Sequence, residues 1–393
     1  MAEEKKYSRT AINAASMFSY FGTGVVLAIV GPNLPAMGRA YGVSLGTLGL
    51  LFTCLLGGTF ATFFFGFAVN AYGAGRVMTA GTAILTAGLA VAGTTHLWAV
   101  APPAFIVIGL GLGMIDVGTN SIIPQVNGDK SPRYLSLLHM SFGVGAVSGP
   151  MLAGGLLERH CDYRVSYLVA CALIFVSLVV FLAIRYPAAE RKKGPGTAAS
   201  LGLLRNVGFM LLALVMFGSI GCEMSMNAWL FSFVRTDIGA GIRPAAVAGS
   251  MFWGGLLTGR LASSFLSVRV GARRLLWFYV GGSALGLAGV ALARVPSEVY
   301  AGAFFTGLCI SAQVPLLISV SADEYKKYFG AATGMMFATG GLGGTLIPPA
   351  VGFIAERTAL RTGIVCLIPV ALAMVIMLAL RRFAKPRSKP LSN

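Results

Sequence analysis

The sequence predicts an all-α membrane protein of twelve transmembrane helices in two pseudo-symmetric six-helix bundles. Three observations predict it. Hydrophobic residues make up 56% of the 393 and charged residues only 11%, with a mean hydropathy of +0.80. A soluble domain carries about 25% charged residues, so a chain this apolar needs lipid as its solvent. Apolar runs of about one bilayer thickness recur along the whole length. A polar, basic stretch rich in Gly and Pro, "YPAAERKKGPGTAASLGLLRN" at 186–206, divides those runs six and six.

The runs lie at 11–35, 44–69, 76–95, 98–121, 134–157, 164–185, 206–234, 245–267, 274–293, 298–320, 329–354 and 359–381. Backbone polar groups have no water partners in hydrocarbon, so each run is expected to be a helix. The division is then an N-terminal six-helix bundle at 1–185, a cytoplasmic linker at 186–206 and a C-terminal six-helix bundle at 207–393. The 52 glycines suit close approach of helices in lipid.

The net charge of +17 reads as topology. With the N-terminus inside, 21 of the 30 Lys and Arg fall in the tails and connections on that side, eight fall on the other, and Arg260 lies within a span. This asymmetry places both termini in the cytoplasm and adds attraction to anionic lipid; no nucleic-acid partner is expected. Residues 1–10 are polar and the first run is too long for a cleavable signal, so it reads as an uncleaved anchor. The compact length and short loops suggest a prokaryotic inner membrane, and a monomer is expected.

Nothing in the sequence has the pattern of an enzyme. His96, His139 and His160 lack metal-ligand spacing, the six Cys (54, 161, 171, 222, 309, 366) read as small packing residues, and no phosphate-binding loop occurs. No catalytic residue, metal or cofactor is expected. Energy has to come from an ion gradient or from the solute's own gradient.

Three ionisable residues lie inside apolar runs: Asp116, Glu223 and Arg260. A charge at a helix centre costs ~2.5–3.5 kcal/mol on insertion scales, so such residues pair or serve a function. Asn120 follows Asp116 by four residues and Asn227 follows Glu223 by four, each on the acid's own helix face.

The halves also repeat features. "GFAVNAYGAGRVM" (66–78) and "GRLASSFLSVRVGARRLL" (259–276) each end in a short turn with Gly and Arg, Gly73 with Arg76 and Gly271 with Arg274; "SGPMLAGGLLER" (148–159) has its counterpart in "IPPAVGFIAER" (347–357). This arrangement resembles the major facilitator superfamily along the whole chain. Residues 111–150, "GCEMSMNAWL" (221–230) and "SMFWGGLLTGRL" (250–261) are similar to the fucose/galactose/glucose–cation symporter branch.

The resemblance implies alternating access, sugar uptake coupled to H⁺ or Na⁺, and a central cavity lined by helices 1, 4, 7 and 10. It implies an ion-coupling role for Asp116 on helix 4 and a coupling or substrate role for Glu223 on helix 7. On the same cavity helices Asn33, Asn120, Asn227 and Gln313 offer amides to sugar hydroxyls. Trp229 and Trp253 offer flat faces to sugar C–H surfaces. Arg76, Arg260, Arg274, Gly149 and Pro150 are the expected gating residues. Helix 1 departs from the fucose-type pattern in having no acid, and Asn70 and Val268 stand where the superfamily's 2–3 loop motif and its repeat carry Asp.

Each residue also has a structural reading: Asp116 and Glu223 as hydrogen-bond anchors, Arg260 snorkelling near a helix end, the Trp rings as packing, His139 as structure rather than a proton relay. "GPMLAGG" (149–155) looks like the glycine motif of drug/H⁺ antiporters, which keeps a proton-driven efflux pump for amphipathic compounds as an alternative. A non-transporting receptor and a lipid flippase are more distant alternatives.

Overall fold

The computed structural model describes residues 7–60, 68–187 and 198–383. Twelve helical rods follow one another, and no strand occurs among the described residues. α1 consists of Arg9–Ala28 and Val30–Tyr41, meeting at Ile29; α2 is Leu45–Phe60; α3, Ala74–Thr94; α4, Ala101–Asn127; α5, Ser131–Glu158; α6, Tyr163–Ala183. Then come α7, Val207–Thr236; α8, Ile242–Val270; α9, Ala272–Leu292; α10, Pro296–Ser311 and Gln313–Glu324; α11, Phe329–Arg357; and α12, Leu360–Val365 and Leu367–Phe383. Of the basic stretch at 186–206, residues 188–197 lie outside the described residues, and Ala198–Arg205 forms 3₁₀ turns.

The outer surface is apolar, as lipid requires. On α6, Phe175, Val179 and Leu182 form an exposed stripe at helical spacing. α7 is the opposite case: nearly every residue from Leu212 to Val234 is buried. Its polar groups therefore need protein partners or a cavity.

Each half is built on the same packing scheme. α3 packs on α4 and α6, α1 on α5, and α2 on α4; six helices later, α9 packs on α10 and α12, α7 on α11, and α8 on α10. The agreement reaches single residues. A Cβ on Gly145 of α5 would collide with the Phe21 carbonyl oxygen of α1, and one on Gly343 of α11 would collide with that of Phe217 on α7. Close backbone approach of this kind replaces the hydrophobic drive that helices lose in lipid. The turns entering α3 and α9 match as well: Gly73 has φ 92° and Gly271 φ 85°, a left-handed conformation that favours glycine.

The halves meet along α2–α11, α5–α8 and α1–α7. Hydroxyls tie the seam at equivalent points. Thr53 donates to the Thr345 carbonyl at 2.8 Å, and Ser250 donates to that of Val147 at 2.7 Å. At the end of the seam the Gly46 backbone N–H donates to Glu356 at 3.2 Å. These contacts lie toward the face opposite the one where α1 starts and α12 ends. Toward that terminal face, α4 and α10 form no packed interface with each other among the described residues. Among the described residues the halves are thus joined toward the opposite face and stand apart at α4 and α10 on the terminal face.

Candidate central binding site

The N-terminal half contributes three side chains. Asp116 sits eleven residues before the end of α4, about 16 Å along the helix from the terminal face. It is exposed despite that depth. The hydroxyl of Tyr20, from α1, donates to Asp116 Oδ1. Asn120 Nδ2 donates to the same oxygen at 3.0 Å and to the Tyr20 hydroxyl at 2.6 Å. The four-residue spacing of Asp116 and Asn120 makes this arrangement possible.

Tyr20 was not legible as a site residue, because a tyrosine in an apolar run reads as packing. A signal was nevertheless present. Asn13, Ser16, Tyr20 and Thr23 recur at helical spacing along one face of α1, and all four are buried. A polar stripe on an otherwise apolar helix marks the side turned from lipid.

The C-terminal half contributes a charge pair. Glu223 on α7 is 8% exposed, and Arg260 Nη2 of α8 lies 3.8 Å from its Oε1. Arg260 is ten residues inside the end of α8, so its charge reaches the interior rather than the surface. One turn further along α7, Asn227 donates to the Leu27 carbonyl of α1 at 3.2 Å and accepts from Trp253 Nε1 at 3.2 Å. Asn227 therefore joins the two halves directly.

His139 and Phe142 of α5 link the clusters. The His139 ring packs edge-on against Tyr20 at 5.7 Å, and His139 lies within electrostatic reach of both Asp116 and Arg260. Phe142 packs edge-on against Tyr20 at 6.3 Å and against Trp253 at 6.0 Å. A polar, aromatic-walled floor runs from Asp116 to Glu223 across the seam.

Three expected site residues lie elsewhere. Asn33 is fully buried, donating to the Ile29 carbonyl at 3.0 Å and accepting from Ser166 of α6. Trp229 is fully buried and donates to the Pro348 carbonyl at 2.8 Å on α11. Gln313 sits at the break in α10, bonded to Ser219 and to the carbonyls of Tyr279 and Cys309. Its amide satisfies groups that the break frees. Replacing a buried hydrogen-bonding side chain leaves its partners unsatisfied, at ~1–3 kcal/mol. Gln313→Ala is expected to lower thermal stability by about that amount with unchanged solute affinity, as read by heat unfolding beside a binding titration.

The expected gating residues divide into two places. Arg76 and Arg274 are exposed at the starts of α3 and α9, just beyond Gly73 and Gly271. Gly149 packs against Ala28 of α1 within the N-terminal half, whereas Pro150 packs against Gly249 of α8, which puts Pro150 in the seam.

Comparison with known proteins agrees with this architecture. The family profile of the Major Facilitator Superfamily matches residues 16–300 and 245–393. The sodium-dependent glucose transporter 1 of Homo sapiens is 22% identical over 376 residues, covering 86% of this chain and 72% of that protein. Among solved structures, a variant of the nucleoside transporter NupG superposes with a TM-score of 0.82 at 11% identity, covering 95% of this chain and 99% of that one. A variant of the E. coli fucose:proton symporter FucP does so with a TM-score of 0.66 at 17% identity, covering 96% and 100%. Twelve apolar helices, a sixfold-shifted packing scheme and a profile match over nearly the whole sequence lead to one conclusion: the chain is an integral membrane protein that belongs to the major facilitator superfamily.

Proposed function

We propose that this chain is a secondary active transporter that carries a neutral hexose or similar small polyol together with H⁺. In this reading the terminal face is cytoplasmic, and the halves at 1–185 and 207–393 rock about the seam to expose the central site to either side. The observation that carries the proposal is Asp116: a carboxylate at mid-span, reachable from the open face and held by Tyr20 and Asn120.

Asp116 Oδ1 receives two hydrogen-bond donors, from Tyr20 and Asn120, which leaves Oδ2 as the oxygen for the coupling ion, taken here as a proton. FucP is a fucose:proton symporter and the human relative is a sodium-dependent glucose transporter, so both ions occur among similar proteins. Glu223 and Arg260 supply the counter-charge in the other half. A solute hydroxyl that inserts between them replaces part of an ion pair with hydrogen bonds, which couples binding to helix position. Asn120, Asn227 and the Trp253 ring complete the proposed solute contacts.

A nucleoside is the second reading, favoured by the fold likeness to NupG. Heat unfolding of the detergent-purified protein against glucose, mannose, fucose, galactose and uridine separates the two, because a ligand of the folded state raises apparent stability by mass action. A stereospecific hexose shift that is lost in Glu223→Gln supports the proposal; a shift with uridine alone moves the assignment to nucleosides.

A further inference from the structure

A cavity lies at the other end of the molecule from Asp116. It has a volume of about 500 Å³ and sits on the face opposite the termini, where α1, α5, α6, α7 and α8 end or begin. Both halves line it. Pro32 and Arg39 come from α1, His160 from the α5–α6 turn and Tyr163 from α6, while Phe231 and Arg235 come from α7. The size suits a monosaccharide-sized molecule.

Its charge is unbalanced. Arg39 makes no hydrogen bond or ion pair among the described residues. Arg235 spends one Nη on the Ala240 carbonyl at 2.8 Å and keeps its other donors. The single acid in the lining, Asp162, is already engaged: it caps α6 through the Arg164 backbone N–H at 2.8 Å and pairs with the Arg164 guanidinium at 2.9 Å. His160 is the only non-glycine among the described residues with positive φ, at 61°. This is the left-handed closure of the α5 C-terminus, with the Cys161 N–H donating to the Leu156 carbonyl at 3.0 Å, and it turns the chain into the cavity wall.

We infer that this cavity is a binding site for a small organic carboxylate. Arginine presents a planar fork of donors that matches a carboxylate. The rings of Tyr163 and Phe231 and the edge of Pro32 give the body of the molecule an apolar wall. Because α1 and α7 come from different halves, a bound carboxylate bridges them and favours the arrangement in which the opposite face is closed. The inference does not depend on which solute crosses the membrane. A lipid headgroup phosphate would offer the arginines the same kind of anion, and the test separates the two sources.

The test uses the full chain, purified in detergent and stripped of lipid, with D-glucuronate as probe and D-glucose as its neutral analogue, at constant ionic strength. Heat unfolding is followed across a glucuronate titration. Glucuronate is expected to stabilise the wild type and Asp116→Asn alike. Arg39→Gln is expected to weaken the apparent affinity at least tenfold while leaving the ligand-free melting point unchanged. Arg235→Gln should act in the same direction, and Arg39→Lys should recover part of the loss. An undiminished glucuronate response in Arg39→Gln, a wild-type glucuronate response no larger than that to NaCl, or stabilisation by phosphatidylglycerol but not by glucuronate would overturn the proposal, whereas a glucose response unchanged by Arg39→Gln belongs to the central site.

Discussion

Proteoliposomes carrying Asp116→Asn are expected to exchange labelled solute across the membrane at close to the wild-type rate and to accumulate none of it against a gradient. Asn has nearly the shape of Asp and can still accept the Tyr20 hydroxyl, so the geometry around α1 and α4 survives. It cannot titrate. A transporter that moves one proton per solute converts each unit of pH gradient into about tenfold accumulation, since one unit is worth about 1.4 kcal/mol. The accumulation ratio in the variant should therefore fall to one whatever the imposed gradient. Exchange needs no net proton movement and remains. Accumulation at the wild-type ratio would remove Asp116 from coupling and leave it as a helix anchor.

The second large effect is expected at Gly31, where α1 crosses α7. A Cβ at this position would land on the carbonyl oxygen of Asn227. Gly31→Ala cannot preserve that approach, and overpacking of this kind costs ~1–3 kcal/mol. The cost falls only on the state in which the two halves touch here. A difference of that size moves a two-state equilibrium about 5- to 150-fold. Ala246 on α8, 1% exposed and packed against Gly154 of α5, reports the seam. In a background without the native cysteines, Ala246→Cys should react with a membrane-impermeant thiol reagent at least tenfold faster when Gly31→Ala is present, and uptake should fall. Gly145→Ala is the control. Its collision is within one half, with the Phe21 carbonyl oxygen, so it should lower stability without speeding the labelling. Equal labelling in Gly31→Ala and wild type would mean that α1 and α7 stay together throughout the cycle.

The helices were legible because hydrocarbon leaves the backbone one option, and the structure places a rod on each of the twelve apolar runs. The breaks were harder. α10 is interrupted at Ala312, and the feature that fills the gap is Gln313, a residue whose amide looks in sequence like a solute ligand. Counting helices indicates which ones border a central space but not which face of each turns toward it. Asp116 and Asn120, four apart, share a face and do meet. Asn227 and Trp229 are two apart, about 200° around the helix, and point to different neighbours: α1 and α8 for Asn227, α11 for Trp229. Asn33 lies beyond the junction at Ile29 and turns toward α6. Tyr20 is inconspicuous in the sequence because it bears no charge; its importance comes from a partner a hundred residues away.

The central claim is that solute and proton cross together through Asp116. The most direct measurement is proton movement itself. Wild-type proteoliposomes in weakly buffered medium with no imposed gradient are given the hexose that stabilises the purified protein, and external pH is recorded. Co-transport predicts that the medium turns alkaline as solute enters, that a proton carrier abolishes the signal, and that Asp116→Asn gives none. Solute entry with no change in external pH in the wild type would contradict it.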